Sequence, residues 1–140
     1  MKTSRHLFVS SVLAIIFYPV FNWKALLILV GGVLIDMDHY LWYIYKFKKF
    51  SLFDCYDYYI DGMEQGRVEK NIGILLIFHT VEFLLIIVLL SFYNQLILAF
   101  TIGVLSHYLL DALFLYTIAK RLIASTSIIS WIVKNKIQKV

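Results

Sequence analysis

Four long apolar stretches dominate the sequence and limit what the chain can fold into. They cover residues 7–23, 25–45, 72–92 and 96–116. Each is close to the ~20 residues that a helix needs to cross the hydrocarbon core of a bilayer. A chain of 140 residues that spends most of its length in this way leaves no room for a second domain. The sequence therefore predicts one all-α, polytopic membrane domain over residues 1–140, with four transmembrane helices.

Short polar connections divide these helices into two hairpins. One turn lies near residues 19–24 and a second at residues 93–95. The middle connection, residues 46–70, is charged and rich in tyrosine. It is either a hydrated segment at the membrane interface or a lid over the bundle. Residues 120–140 are too charged to span, so we expect a C-terminal interfacial helix with Trp131 at the headgroups.

The basic residues indicate the orientation of the chain. With four spans, both termini and the middle connection share one side of the membrane, and every Lys and Arg except Lys24 falls on that side. The positive-inside rule places this side in the cytoplasm, for a protein of the cell or inner membrane. The net charge of +4 is thus a topology signal, and we expect membrane lipids as partners and no nucleic acid. Whether the chain joins an oligomer or a larger complex is left open by the sequence.

Ionisable residues interrupt every apolar stretch. A charged side chain near the centre of a bilayer costs roughly 2.5 to 3.5 kcal/mol. Lys and Arg occur only at the ends of the stretches, so they offer no partners within the spans. A cation from outside the chain is therefore expected to compensate the buried acids. The residues concerned are His6, Asp36, Asp38, His39, His79, Glu82, His107 and Asp111.

Helical spacing predicts that these side chains meet at one depth. Residues three or four apart share a helix face, and three pairs have this spacing: Asp36 and His39, His79 and Glu82, His107 and Asp111. In the predicted orientation all of them, together with His6, lie in the cytoplasmic half of their helices. Asp38 does not lie on the shared face. Its carboxylate therefore either hydrogen-bonds to the ligands without binding the metal, or is turned inward by a break near residues 31–32.

Imidazole and carboxylate ligands point to a transition metal. They suit zinc, manganese, iron or nickel, whereas the single Cys55 cannot provide a thiolate cluster. We expect no haem, because a pair of axial histidines does not require several carboxylates. The candidates exceed the four ligands of a tetrahedral ion, so one or two divalent ions are expected. The predicted metal ligands are His6, Asp36, His39, His79, His107 and Asp111.

One segment carries a resemblance to a known family. Residues 32–39, Gly-Val-Leu-Ile-Asp-Met-Asp-His, resemble the Gly-x-Leu-Leu-Pro-Asp-x-Asp-His signature of the YdjM-like family of membrane-bound metal-dependent hydrolases. His6, His79 and the Gly-x-x-Ser-His-x-x-x-Asp of residues 103–111 match other positions of that family. The resemblance extends over about residues 6–116 and implies a helical membrane protein with metal-dependent hydrolase chemistry.

The chain departs from the family pattern in two places. Ile35 replaces the usual proline, which alters local geometry. The His-Arg-Gly that precedes the third-stretch histidine is replaced by Asn-Ile-Gly at residues 71–73, so an arginine that could hold a phosphate is missing from this position.

Together these features predict a metal-dependent hydrolase that acts on a phosphoester of a lipid or other amphiphile. Asp38 and Glu82 are the candidate catalytic residues, because a carboxylate that does not bind the metal can act as general base. Two other functions stay open. The metal could act as a staple, a structural ion that only holds together the helices of an accessory or structural membrane subunit. Alternatively, the buried groups could form a path for metal ions or protons.

Overall fold

The computed structural model of the protein describes residues 2–64, 75–114 and 127–137, and these residues form helices and no strand. The α-helices are α1 Thr3–Phe21, α2 Leu26–Val33, α3 Met37–Phe47, α4 Leu52–Glu64, α5 Val81–Ser91, α6 Gln95–Phe114 and α7 Ile128–Ile137. Short 3-10 turns lie at Asn22–Ala25, Leu34–Asp36 and Ile77–His79. The all-α prediction is therefore confirmed for the described residues.

Two helical stretches are long and apolar enough to cross a membrane. One lies in the helical run Thr3–Phe47, which contains α1, α2 and α3 and reverses direction after α1, and the other is α6. α5 is equally apolar but has only 11 residues.

α1 and α2 form the first predicted hairpin. α1 ends at Phe21, and Asn22 adopts a positive φ of 51°, a conformation that asparagine tolerates better than most residues. The chain then reverses through the turn Asn22–Ala25. α2 returns along α1, so that Gly32 lies against the side chain of Ser10.

α5 and α6 form the second hairpin, joined by residues 92–94. The Thr101 hydroxyl donates to the Ile87 carbonyl at 3.3 Å, and the Tyr108 hydroxyl donates to the Phe78 carbonyl at 2.7 Å. Residues later in α6 thus face residues earlier in the partner segment, as an antiparallel pair requires.

Glycines let α2 and α6 approach with their backbones in contact. A Cβ atom on Gly103 would lie 2.8 Å from the Gly32 nitrogen, and one on Gly31 would meet the Phe100 carbonyl. Such close packing is typical of helices that associate in membranes. The two helices run in the same direction, because Lys24 bonds to Gln95 at one end and Gly32 accepts from His107 further along.

The helix predicted over residues 72–92 begins later than expected. Thr80 is extended, with φ −94° and ψ 149°, and its side chain accepts a hydrogen bond from the Phe83 nitrogen at 3.3 Å. This is an N-cap, so α5 starts at Val81 and residues 77–79 form a 3-10 turn instead. The prediction was wrong for residues 75–80, and residues 72–74 lie outside the described part of the chain.

The middle connection contains a helix that the sequence analysis did not predict. The Ser51 hydroxyl accepts from the Asp54 nitrogen at 3.1 Å and caps α4. α4 packs on α3 through aromatic rings, with Trp42 and Tyr43 against Tyr58. At the carboxyl end, α7 confirms a helix within residues 120–140, of which 120–126 and 138–140 lie outside the described residues.

Candidate metal centre

The structure brings seven of the eight predicted site residues into one cluster. They come from four separate segments of the chain. α1 supplies His6, the region of the 3-10 turn between α2 and α3 supplies three residues, the turn before α5 supplies one, and α6 supplies two. The members are His6, Asp36, Asp38, His39, His79, His107 and Asp111.

Four of these side chains place one ligand atom each around the adjacent His79 and His107 nitrogens. The Nε2 atoms of His79 and His107 are 3.2 Å apart. Asp36 Oδ1 lies 3.4 Å from the His107 nitrogen and 3.6 Å from the His79 nitrogen. Asp111 Oδ2 lies 3.3 Å and 3.9 Å from the same two atoms. We call His79, His107, Asp36 and Asp111 the four-ligand cluster.

These separations are in the range found between neighbouring ligands of one metal ion. Ligands about 2.0 to 2.1 Å from a zinc ion are about 3.3 to 3.4 Å from one another, by the geometry of a tetrahedron. The five measured edges, from 3.2 to 3.9 Å, lie around that value. Nitrogen and oxygen donors in this arrangement fit a divalent transition metal.

Hydrogen bonds at Nδ1 orient both imidazoles of the four-ligand cluster. His107 Nδ1 lies 2.9 Å from the Gly32 carbonyl oxygen, and His79 Nδ1 lies 2.9 Å from Asp38 Oδ2. Both oxygens accept, so each Nδ1 is assigned the hydrogen and each neutral Nε2 carries a lone pair. In this tautomer two lone pairs lie 3.2 Å apart beside carboxylate oxygens, an arrangement that a cation between them would stabilise.

Asp38 accepts hydrogen bonds from two of the histidines and from the backbone next to the four-ligand cluster. Its Oδ1 accepts from His39 Nδ1 at 2.9 Å, while Oδ2 accepts from His79 Nδ1 at 2.9 Å and from the Phe78 nitrogen at 3.1 Å. The helix is interrupted at Leu34–Asp36, immediately before this residue. The carboxylate therefore orients ligands, as the first alternative expected, whereas the break lies at residues 34–36 and not at residues 31–32, which belong to α2.

His39 lies at the edge of the centre. Its Nδ1 is 3.6 Å from Asp36 Oδ1 and closer to Asp38, and its ring meets the His79 ring edge-on at 4.8 Å. Tyr59 of α4 covers it, with the ring centroids 4.9 Å apart and the Tyr59 hydroxyl donating to the His39 carbonyl at 3.2 Å. The side chain is 24% exposed, so His39 connects the cluster with the surface.

His6 stacks on the cluster from the α1 side. Its ring lies parallel to that of His107, with centroids 3.9 Å apart and an interplanar angle of 16°. His6 Nε2 is 3.2 Å from Asp111 Oδ1, the carboxylate oxygen that does not face the other two histidines. His6, His107 and Asp111 therefore form a second group that could hold an ion.

Glu82 lies away from these residues. Its carboxylate accepts from the Ser127 hydroxyl at 2.6 Å and from the Ile128 and Ile129 nitrogens at 3.1 and 3.4 Å. These are the unpaired donors at the start of α7, where a negative charge is favourable. The expectation that Glu82 is a general base finds no support in this geometry, because its oxygens serve the end of a helix.

Sequence reasoning missed Tyr108. Its ring stacks near that of His79, with centroids 6.0 Å apart, and its hydroxyl donates to the carbonyls of Phe78 and Thr80 at 2.7 and 3.0 Å. It thereby fixes the turn that carries His79. The available signal was a polar-tipped aromatic residue within an apolar stretch, next to the candidate ligand His107.

The fold and the site together define a class of protein. The described residues form an all-helical chain, with two helices long and apolar enough to cross a membrane and with buried His and Asp groups that could hold a metal ion. Comparison of the chain with protein-family models, with curated proteins and with solved structures finds no match.

Proposed function

We propose that the protein is a membrane-embedded, metal-dependent hydrolase of phosphoester amphiphiles. The observation that carries the proposal is the four-ligand cluster, in which two carboxylate oxygens lie 3.3 to 3.9 Å from two imidazole nitrogens that are themselves 3.2 Å apart. The donor set suits zinc, and manganese, iron and nickel accept the same ligands. The YdjM-like resemblance of residues 32–39 points to the same chemistry.

Exposed apolar surface supports a position within a bilayer. In the most apolar windows of Thr3–Phe47 and α6, only 22% and 28% of residues are buried. Side chains such as Ile15 and Leu26 are more than half exposed, at 74% and 61%. Soluble proteins seldom expose contiguous apolar surface of this kind. Four spans would cover it with lipid, with both termini and α4 on the cytoplasmic side.

The third span of this arrangement is a broken helix. α5 alone covers about 16 Å at 1.5 Å per residue, so the turn before it completes the crossing. Non-helical backbone is tolerated at membrane depth where protein groups satisfy it. Here Asp38 accepts from the Phe78 nitrogen, and the Tyr108 hydroxyl donates to the Phe78 and Thr80 carbonyls. The same residues that build the site thus stabilise the break.

A divalent ion in the cluster would polarise a phosphoryl oxygen and lower the pKa of a water molecule toward about 7. The side chains around it have separate tasks. Asp38 and the Gly32 carbonyl hold the imidazoles of His79 and His107 in the tautomer that leaves Nε2 to the metal. Asp38 also accepts from His39 Nδ1. This carboxylate–imidazole pair can take up a proton at His39 Nε2, with Asp38 stabilising the resulting charge.

The surroundings of the cluster favour an amphiphilic substrate. Asp36 and Asp111 are 25% and 23% exposed, so both carboxylates are partly accessible from outside the bundle. Leu34 and Met37, which flank Asp36, are more than half exposed and form an apolar rim. A molecule with a phosphoester head and an apolar tail could place its head at the acids and its tail along this rim.

A metal staple is the alternative that one observation favours. Structural metal sites are closed by four protein ligands, whereas catalytic sites keep one position for water or substrate. The cluster offers four ligands, as a staple would. In that case metal would stabilise the bundle without turnover.

Elemental analysis combined with a turnover assay separates these functions. The purified protein should contain a transition metal and show no haem absorption, and His79→Ala or His107→Ala should each remove most of the metal. Asp57→Asn, an exposed acid of α4, is the control and should retain it. The metallated protein should hydrolyse a member of a panel of phospholipids, polyprenyl phosphates and phosphodiesters. Fully metallated protein without activity on this panel would favour the structural metal site over the hydrolase, and protein that binds no metal would refute both.

A further inference from the structure

His6 is a buried imidazole without a hydrogen-bond partner. The side chain is 1% exposed, and neither Nδ1 nor Nε2 forms a hydrogen bond. Leaving a buried polar group unpaired costs about 1 to 3 kcal/mol. The four-ligand cluster does not use His6, so its burial at this position needs another explanation.

The position of His6 beside Asp111 provides that explanation. Its Nε2 lies 3.2 Å from Asp111 Oδ1, while His107 Nε2 lies 3.3 Å from Asp111 Oδ2. Two parallel imidazoles, stacked with centroids 3.9 Å apart, thus face the two oxygens of one carboxylate. An ion bound in the plane of each ring would be separated from the other by about the stacking distance. Paired metals in hydrolytic sites are about 3.5 to 4 Å apart.

We propose that His6 and Asp111 form a second divalent-metal site, with Asp111 bridging two ions. The inference rests on the proposed function for its first ion, which the four-ligand cluster binds. It deepens that function by adding a second ion with open coordination positions, because paired ions clamp the attacking and leaving oxygens of a phosphoester. A single ion closed by four protein ligands has no such open position.

A simple ion pair between His6 and Asp111 explains less. A protonated imidazole donates through both nitrogens, and both donors then need acceptors. His6 Nδ1 has none in the described structure, and Ser10 Oγ, one turn further along the same face of α1, is also without a partner. A neutral His6 that gives its Nε2 lone pair to a metal also leaves only Nδ1 unpaired, and it does not require a charged imidazole at a position that is 1% exposed.

The second ion should bind more weakly than the first. Only His6 and Asp111 hold it, and its remaining positions would be filled by water or by substrate oxygens, so fewer protein ligands oppose its release. Loading should therefore proceed in two phases, with the four-ligand cluster filled first.

Manganese titration of the full-length protein in detergent tests the proposal. We expect two Mn²⁺ per chain at saturation and an electron paramagnetic resonance signal of exchange-coupled ions. His6→Gln should lose the weaker ion and the coupling while keeping the tight ion, and Ser10→Ala should keep both. Circular dichroism of each variant checks that the helices are intact.

The possible results separate this inference from the proposed function. Wild-type protein that saturates at one ion, or a His6→Gln variant that keeps two coupled ions, would overturn the second site and leave the first in place. Wild-type protein that binds no ion would overturn the proposed function itself. The titration of wild-type protein can by itself refute the second site, so the proposal remains testable even if His6→Gln does not fold.

Discussion

Replacing Asp38 with asparagine tests whether the orientation of His79 sets the metal affinity. The two carboxylate oxygens accept from His79 Nδ1 and His39 Nδ1 at 2.9 Å each, and one of them also accepts from the Phe78 nitrogen at 3.1 Å. An amide has one accepting oxygen, and its nitrogen only donates. In Asp38→Asn the amide oxygen is expected at the Oδ2 position, where it keeps the bonds from His79 Nδ1 and the Phe78 nitrogen without the negative charge, while the amide NH2 group faces His39 Nδ1.

The expected loss of metal affinity follows from the hydrogen bonds that the substitution changes. Removing a carboxylate that orients a metal-binding histidine typically costs about 10- to 100-fold in affinity, or roughly 1.4 to 2.7 kcal/mol of binding free energy. We expect the lower end, because the asparagine oxygen can still accept from His79 Nδ1, and the affinity falls through loss of the carboxylate charge and of the bond from His39. Turnover at saturating metal should fall further, by about 10²- to 10⁴-fold, because Asp38 belongs to the proposed proton-accepting pair.

Competition with a chromophoric zinc chelator measures the affinity, and circular dichroism confirms the fold. Asp57→Asn makes the same chemical change on the exposed face of α4 and should leave the affinity unaltered. Equal zinc affinity for the two variants would refute the role assigned to Asp38.

Three further predictions concern other parts of the chain. Glu82→Gln should keep the metal but weaken the cap of α7 by about 0.5 to 2 kcal/mol, seen as several-fold faster proteolysis at the carboxyl end. Burial raises the pKa of the Cys55 thiol to about 11, so maleimide labelling should rise about tenfold per pH unit between pH 7 and 10. At neutral pH, labelling of Cys55 should be far slower than labelling of a cysteine placed at the 84% exposed position 53 by Phe53→Cys in a Cys55→Ser background. That exposed cysteine should react with an impermeant maleimide only after cells are permeabilised. Gly103→Ala should destabilise the bundle by about 1 to 3 kcal/mol, measured as a lower melting temperature, because its Cβ would meet the Ile28 carbonyl.

Much of the site could be predicted because its signals are local. The spacing of His107 and Asp111 on one helix and the apolar length of α6 both follow from the helical repeat, and the structure agrees with both. The antiparallel pairing of α5 and α6 follows from the short turn between them.

The remaining features depend on caps or on distant contacts. Thr80 and Ser51 start helices by accepting backbone hydrogen bonds, a signal that hydropathy does not weigh. The partner of Glu82 is the start of α7, 45 residues away at Ser127, which no helical period encodes. Helical spacing therefore predicted that Glu82 lies beside His79, whereas in the structure the Glu82 carboxylate binds the start of α7, a helix distant in the sequence.

The order in which the site residues are synthesised has a consequence for biogenesis. Asp38 precedes His79 by 41 residues, and Gly32 precedes its partner His107 by 75. At roughly 5 to 20 residues per second, several seconds separate the emergence of these partners from the ribosome. During that interval, a chain inserted as proposed here would carry acids in the first hairpin that make its release into lipid unfavourable. We therefore expect the first hairpin to remain at the insertion machinery until α6 arrives, so that insertion is completed by all the helices together.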